Sequence, residues 1–284
     1  VFQVKKYQSH TYTLAHIVTA KFWQNVKENG LHLTVAETGW GKASWGKIYG
    51  QWLCGCGVMV YDFDIFSPEK LLKVIEDFKV TSFCAPPTVY RYFIKKDMKK
   101  FDLSHLEHIT TAGEALNPEV FEQVHKQTGL QIMEGFGQTE SVLMLGNLVG
   151  STAKIGSLGK PTPLYNIMIA DNEGNRLPAN EVGEIVVIPS ENQHGIFMGY
   201  CGNEDLYANV WKYGIYHTGD TAYMDDDGYY WYVGRIDDLI KTRGYRVGPF
   251  EIENVLMEHP AVMECAVTGI PDKARGQAIK ATIQ

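Results

Sequence analysis

No stretch of this 284-residue chain is apolar for long enough to span a membrane as a helix. The longest apolar run, from Ile48 to Tyr61, is interrupted by Gly50, Gln51, Gly55 and Gly57 and falls short of the roughly 20 residues a spanning helix needs. It reads as a buried helix-to-strand passage. Cysteine is scarce: five residues, at 54, 56, 84, 201 and 265, with no paired zinc-type spacing. Cys54-Gly-Cys56 is too close for the usual redox or zinc motif. A disulfide scaffold is therefore not implied, and free buried thiols point to a reducing, cytoplasmic setting. No charged leader with an apolar core and a small-residue cleavage site opens the chain, which leaves a removed organelle-targeting leader open. A basic excess is missing as well: 26 Lys and Arg against 33 Asp and Glu give a formal charge of −7, which argues against a general nucleic-acid binder. The nine histidines form no metal cluster, and no nucleophile elbow or Ser/His/Asp order stands out. Oligomeric state is not legible.

What is present is ordinary globular composition, 45% hydrophobic and 21% charged, on a chain long enough for one large domain plus part of another. The first half alternates strand-like runs with amphipathic helices, the pattern of a layered α/β domain. Residues 58–61, 80–85, 108–111 and 131–133 read as short buried strands, paired in parallel because each returns through a helix. Ser67 caps a helix with Pro68 at its first position and Leu71, Leu72, Ile75 and Phe78 on one face. Asn117 and Pro118 repeat the start signal, Val120, Phe121 and Val124 form the face, and Gly129 ends the helix.

The pattern changes near Gly150. Gly and Pro become frequent, and 184–188 and 229–233 look like strands with turns at 171–174 and 226–228, which suggests a β-rich subdomain. After Asp237 come a basic glycine-containing loop, a helix from about 249 to 258, and strand candidates at 263–268 and 278–283. The expected organisation is a large domain over 1–236 and a small α+β domain begun at 237–284, whose 48 residues are few for an independent core.

Four motifs bear on chemistry. Glu134-Gly135-Phe136-Gly137-Gln138-Thr139-Glu140 is a short strand ending in a glycine-aromatic-glycine turn, where backbone can approach a ligand closely, or a plain glycine-rich turn with a solvated Glu. Thr111-Ala112-Gly113-Glu114-Ala115 follows a strand and precedes a helix, at the strand end where α/β sheets bind ligands. An ordinary strand-to-helix connection would read the same. Tyr216-His217-Thr218-Gly219-Asp220 is followed fifteen residues after Asp220 by Arg235. A carboxylate and a guanidinium can share the two hydroxyls of a ribose, or simply pair with each other. Arg243-Gly244-Tyr245-Arg246 and Arg275 form a basic set suited to phosphate, or a solvated basic face.

In this order the motifs resemble the adenylate-forming superfamily of acyl-CoA synthetases, peptide-synthetase adenylation domains and luciferases. Residues 245–251 look most like the acyl-CoA synthetases, and the chain as a whole is most similar to the medium-chain enzymes. The resemblance runs from about His10 to Ile283. It implies ATP-dependent activation of a carboxylate, with Mg2+ and coenzyme A as further cofactors. By the same resemblance, Gly113, Glu114 and Ala115 wall the adenine, and Glu134 to Thr139 carry the nucleotide, with Phe136 stacked on the base. Thr139 meets the α-phosphate and Glu140 helps bind magnesium. Asp220 and Arg235 take the ribose oxygens, Asp237 is a hinge, and Arg246 contacts phosphates. Arg243, Gly244, Tyr245 and Arg275 serve CoA, although Arg243 stands where serine is usual. Trp40 falls near the acyl site, or is ordinary core packing. Gly137 stands where acetate-specific enzymes carry a bulky tryptophan, which implies room for a longer, branched or aromatic acid. A one-methylene difference would be poorly discriminated there. The resemblance also gives grounds to expect a fragment: Val4 to Lys6 do not supply the phosphate loop, and Lys280 is not at the motif of the catalytic lysine. The competing expectations are a short-chain ligase and a binding-only relic without turnover.

Overall fold

The computed structural model describes residues 5–284 except Ala115, Asn192, Gly244, Glu258, Pro260, Met263, Glu264 and Lys273, and of Arg246 the backbone alone. The chain divides into two compact units, residues 1–166 with 190–209, and residues 167–189 with 210–284. Both α/β layering and a smaller α+β region are present, as the sequence led us to expect.

In the first unit seven strands make one sheet: β1 (Leu31–Thr34), β2 (Gly57–Met59), β3 (Ser82–Ala85), β4 (His108–Thr111), β5 (Ile132–Gly137), β6 (Leu143–Gly146) and β7 (Lys160–Pro161). Their order across the sheet is β2-β1-β3-β4-β5-β6-β7. The first five pair in parallel, with Thr34 opposite Cys84, Ala85 opposite Thr111 and Thr111 opposite Glu134. Parallel pairing aims their carboxyl ends at one edge, so the segments after Thr34, Ala85, Thr111 and Gly137 gather there. The strands β3 and β4 are buried along their whole length, as strands covered on both faces must be.

Two helices illustrate how the layers form. Helix α1 (Pro68–Asp77) starts where the Ser67 hydroxyl accepts the Lys70 N–H at 3.3 Å, and buries Leu71, Leu72 and Ile75 against Phe83 and Tyr90. Each of those side chains stabilises the fold by roughly 1.5–3 kcal/mol. Phe78 does not share that face. The helix ends at Asp77, Phe78 leaves the helical register, and its ring is exposed. Helix α2 (Pro118–Thr128) is capped by the Asn117 side chain and stopped by Gly129 at φ +75°, with Val120, Phe121 and Val124 buried. The run from Ile48 to Tyr61 does pass from a short helix (Gly50–Leu53) to a strand, but it is buried only in part: Gly50, Gln51 and Cys56 are buried, whereas Trp52, Leu53 and Val60 are exposed. Among the described residues no helix is long and apolar enough to cross a membrane.

The second unit holds two four-stranded sheets. One orders β8 (Asn166–Ala170), β9 (Gly183–Ile188), β10 (Tyr216–Met224) and β11 (Tyr230–Arg235) side by side. Its turns use aspartate: Asp171 Oδ1 accepts the Glu173 and Asn175 N–H groups on either side of Gly174, and Asp225 Oδ1 accepts Asp227 N–H before Gly228. The other orders β13 (Tyr245–Val247), β12 (Ile240–Thr242), β15 (Gly276–Ile283) and β14 (Cys265–Asp272), with helix α3 (Pro249–Met257) between β13 and β14 in sequence. The expected start of β14 at Met263 falls outside the described residues.

Candidate functional site

In the first unit the motif residues cluster at the carboxyl edge of the parallel sheet. Residues 132–137 are strand rather than turn, and β5 pairs antiparallel with β6 through a register shift at Phe136 and Gly137. Neither glycine of Gly-Phe-Gly is explained by a ligand's approach. A Cβ on Gly135 would lie 2.7 Å from both Trp23 Cε2 and Leu143 Cδ1, and one on Gly137 would lie 2.3 Å from Trp45 Cη2 and 2.5 Å from the Val142 carbonyl oxygen. Glycine at 137 therefore does not leave open room, as the sequence suggested; the Trp45 indole takes the space. Trp45 is buried edge-on against Trp23, with ring centroids 6.2 Å apart.

Around this strand the polar groups are held by specific partners. Glu134 is 2% exposed; its Oε1 accepts the Leu116 N–H at 3.2 Å, and burial pushes its carboxyl up to about 8. The bond ties the loop after β4 to β5. In that loop Gly113 has φ +97°, and Glu114 accepts from Thr88 Oγ1 at 2.8 Å and Arg91 at 3.3 Å. Lys42 donates to the Ala112 carbonyl, and burial lowers its pKa. Thr139 sits against Gly41, where a Cβ would lie 2.5 Å from the threonine hydroxyl. Gln138 N–H donates to Ser141 Oγ at 3.1 Å. Glu140 Oε1 accepts from Tyr200 at 2.9 Å and is 3.3 Å from Lys6 Nζ. A carboxylate is a hard oxygen donor of the kind magnesium takes, one or two at a time, beside phosphate and water. Trp40 is not core packing: it is 52% exposed, at the residue preceding the Gly41–Lys47 helix.

In the second unit, Asp220 and Arg235 are cross-strand partners on β10 and β11. Asp220 is 5% exposed; its Oδ1 accepts the Tyr232 hydroxyl at 3.2 Å and its Oδ2 lies 3.7 Å from Arg235 Nη1. Burial and the neighbouring carboxylate push the Tyr232 hydroxyl well up, so it donates. Arg235 Nε donates to Asp237 at 3.2 Å, in the turn that leaves β11. An acidic group with its backbone in a sheet and its head beside a guanidinium can accept from a diol while the guanidinium donates to it.

Arg243 has φ +49°, and its N–H donates to the Arg275 carbonyl at 3.0 Å, so the loops carrying both arginines are joined through backbone. Tyr245 is exposed on β13, and Arg275 N–H donates to Asp272 Oδ1 in the β14–β15 turn. Arg246 lies opposite Lys241, but its side chain, like Ala115 and Gly244, lies outside the described residues.

Several residues around these groups have no local signature. Tyr232 is one of four consecutive aromatics, and nothing in the run says which faces Asp220. Trp45, Lys42 and Tyr200 reach their partners only through the tertiary fold.

Comparison with known proteins sharpens the assignment. Residues 7–201 match the model of the AMP-binding enzyme family and residues 251–284 that of the AMP-binding enzyme C-terminal domain. Acyl-coenzyme A synthetase ACSM3, mitochondrial, of Mus musculus is 41% identical over 268 residues, 94% of this chain and 46% of that protein. The 4-hydroxybutyrate–CoA ligase 1 of Metallosphaera sedula is 42% identical over 275 residues, 96% of this chain and 48% of that protein. The crystal structure of the anthranilate CoA ligase AuaEII in complex with anthranoyl-AMP superposes with a TM-score of 0.86 at 31% identity, covering 96% of this chain and 52% of that one. The chain thus spans about half the length of the curated relatives it matches. Two expectations are overturned. The small domain, read as merely begun in a fragment, is recognised by its own family model over 251–284. The cytoplasmic reading gives way because ACSM3, from mouse and human alike, is named as mitochondrial. Motif order, sheet topology and the family models agree: this chain belongs to the AMP-binding enzyme family.

Proposed function

We propose that the protein acts in AMP-forming acid–thiol ligation. A carboxylate attacks the α-phosphorus of ATP, giving an acyl-adenylate and pyrophosphate; the CoA thiol then attacks the acyl carbon, forming the thioester and releasing AMP. The observation that carries the reading is the Asp220–Arg235 pair on adjacent strands, with Tyr232 donating to the same buried carboxylate. A buried carboxylate with fixed donors on both sides is pre-set to accept from the 2′- and 3′-hydroxyls of a ribose, and preorganisation of that kind supplies much of the rate.

The remaining roles follow the family's pattern. Phe136 stacks on adenine, with Gly113, Glu114, Ala115, Glu134, Gly135 and Gln138 around it. Thr139 positions the α-phosphate and Arg246 its charge. Glu140 would hold magnesium, which when bound neutralises charge on the phosphates. Arg243, Gly244, Tyr245 and Arg275 receive CoA, and Asp237, at the proposed boundary between a domain over 1–236 and one over 237–284, serves as hinge. For the acid we propose a medium-chain, branched or aromatic carboxylate, the aromatic case in line with the acid named for the anthranilate ligase. Trp45, rather than Gly137, then sets the depth of the acyl site, with Trp40 near its entrance.

The test is ATP-dependent pyrophosphate exchange and thioester formation with free CoA over C2 to C10, branched and benzoic acids. Exchange should be greatest with medium-chain or aromatic acids. A clear preference for acetate would overturn the substrate reading, and exchange unaffected by Asp220→Asn would overturn the ribose role.

A further inference from the structure

Asp220 owes its place to a residue thirty-six positions upstream. Glu184 lies on β9, opposite Thr221 of β10, at the point where the β9–β10 register shifts between Glu184 and Val186. Its two carboxylate oxygens have different tasks. Oε1 accepts the Gly219 N–H at 2.8 Å, and Oε2 is 2.7 Å from His217 Nδ1. Both side chains are largely buried, at 14% and 13% exposure. Glu184 thus spans the residues on either side of Thr218, immediately before the ribose carboxylate.

Gly219 explains why such a clamp is needed. Its φ of +73° is the left-handed region, which a strand does not adopt without a local bulge. The turn is also crowded, since a Cβ there would lie 3.2 Å from Arg235 Nη2. Around it, Thr218 Oγ1 donates to the Ile185 carbonyl at 2.7 Å and accepts the Asp220 N–H at 3.1 Å, while Gly219 C=O accepts the Ile236 N–H at 2.9 Å. Each bond fixes one peptide of the segment that sets the direction of the Asp220 side chain. The Glu184 bond to Gly219 N–H is the only one of these supplied by a charged acceptor, and such bonds are the stronger class.

We infer that Glu184 and His217 are positioning residues for the ribose clamp: Glu184 holds the left-handed Gly219 turn, and His217 holds Glu184, so that the Asp220 carboxylate meets the ribose diol. The assignment rests on the ribose role proposed for Asp220 and goes beyond it by naming the residues through which that role is held. It also fixes a chemical detail. An ionised carboxylate only accepts, so the bond between the two side chains requires a proton on His217 Nδ1.

The experiment compares AMP with 2′,3′-dideoxy-AMP by calorimetric titration of the unsubstituted chain and of Asp220→Asn, Glu184→Ala and Glu184→Gln. The ratio of the two dissociation constants isolates the diol, which a merely structural role would leave unchanged. We expect AMP to bind at least tenfold more tightly than the dideoxy analogue, and D220N and E184A each to bring the ratio below threefold. E184Q, which keeps an oxygen for Gly219 N–H, should hold an intermediate ratio. A D220N chain that keeps the full ratio removes the ribose reading, and this inference with it. A ratio lost in D220N but intact in E184A overturns the positioning role alone. Should E184A fail to fold, E184Q and the nitrogen NMR shifts of His217 decide: an unchanged E184Q ratio, or a neutral ring protonated on Nε2, contradicts the inference.

Discussion

Segment 134–140 and the β10–β11 pair carry motifs of equal prominence, yet glycine does different work in each. In the first, Gly135 and Gly137 face tryptophan rings, and glycine is required because a side chain has nowhere to go. In the second, Gly219 is required because the backbone turns left-handed beside a charged cluster. The same residue type thus reports interior packing in one place and backbone conformation in the other. A glycine-rich motif is evidence of a constraint, and only the structure says which.

The sharpest way to break that comparison is at the Trp45–Gly137 contact. Trp45→Ala should cost about 3–5 kcal/mol in urea unfolding, and Gly137→Ala about 1–3 kcal/mol from overpacking. Combining them should cost less than the sum, because the smaller side chain at 45 frees the space that the methyl at 137 needs. Strict additivity would show that the two do not share space. Gly219→Ala should cost about 1–2 kcal/mol, from placing a Cβ in the left-handed region. Gly219→Asn should recover part of that, since asparagine tolerates the region better. Equal losses would point to crowding instead of φ.

A pH-dependent effect concerns Glu134. Its ordinary value is 4.5 and its folded value about 8, so the folded chain keeps a proton that the unfolded chain releases between those values. The stability carried by the neutral carboxyl is full below about 4.5 and is lost as pH rises through about 8, with a slope of at most about 1.4 kcal/mol per pH unit. Glu134→Gln should flatten that slope. A slope equal in both proteins would place the proton elsewhere.

The legible part of the molecule was local. Ser67-Pro68 and Asn117-Pro118 announced their helices because a cap needs only adjacent residues, and 108–111 read as a strand because both faces are buried. Phe78 misled because its spacing fits the helical face, whereas the helix stops one residue earlier. Asp220 and Arg235 could be paired by motif order, but Tyr232 and Glu184 could not. The Tyr232 contact depends on a register shift between Thr221 and Ala222, and Glu184 reaches its partners across a second shift; period-two reasoning cannot place either. Trp45 was hidden for a related reason: Gly137 shows only that a side chain is absent, not what fills the space.

The most direct measurement is a crystal structure of the protein with AMP bound. The account predicts the 2′- and 3′-oxygens of the ribose within hydrogen-bond distance of the Asp220 carboxylate, with Arg235 donating to the same diol. A well-ordered AMP whose ribose diol lies away from Asp220, with the Asp220–Arg235 pair undisturbed, would contradict it.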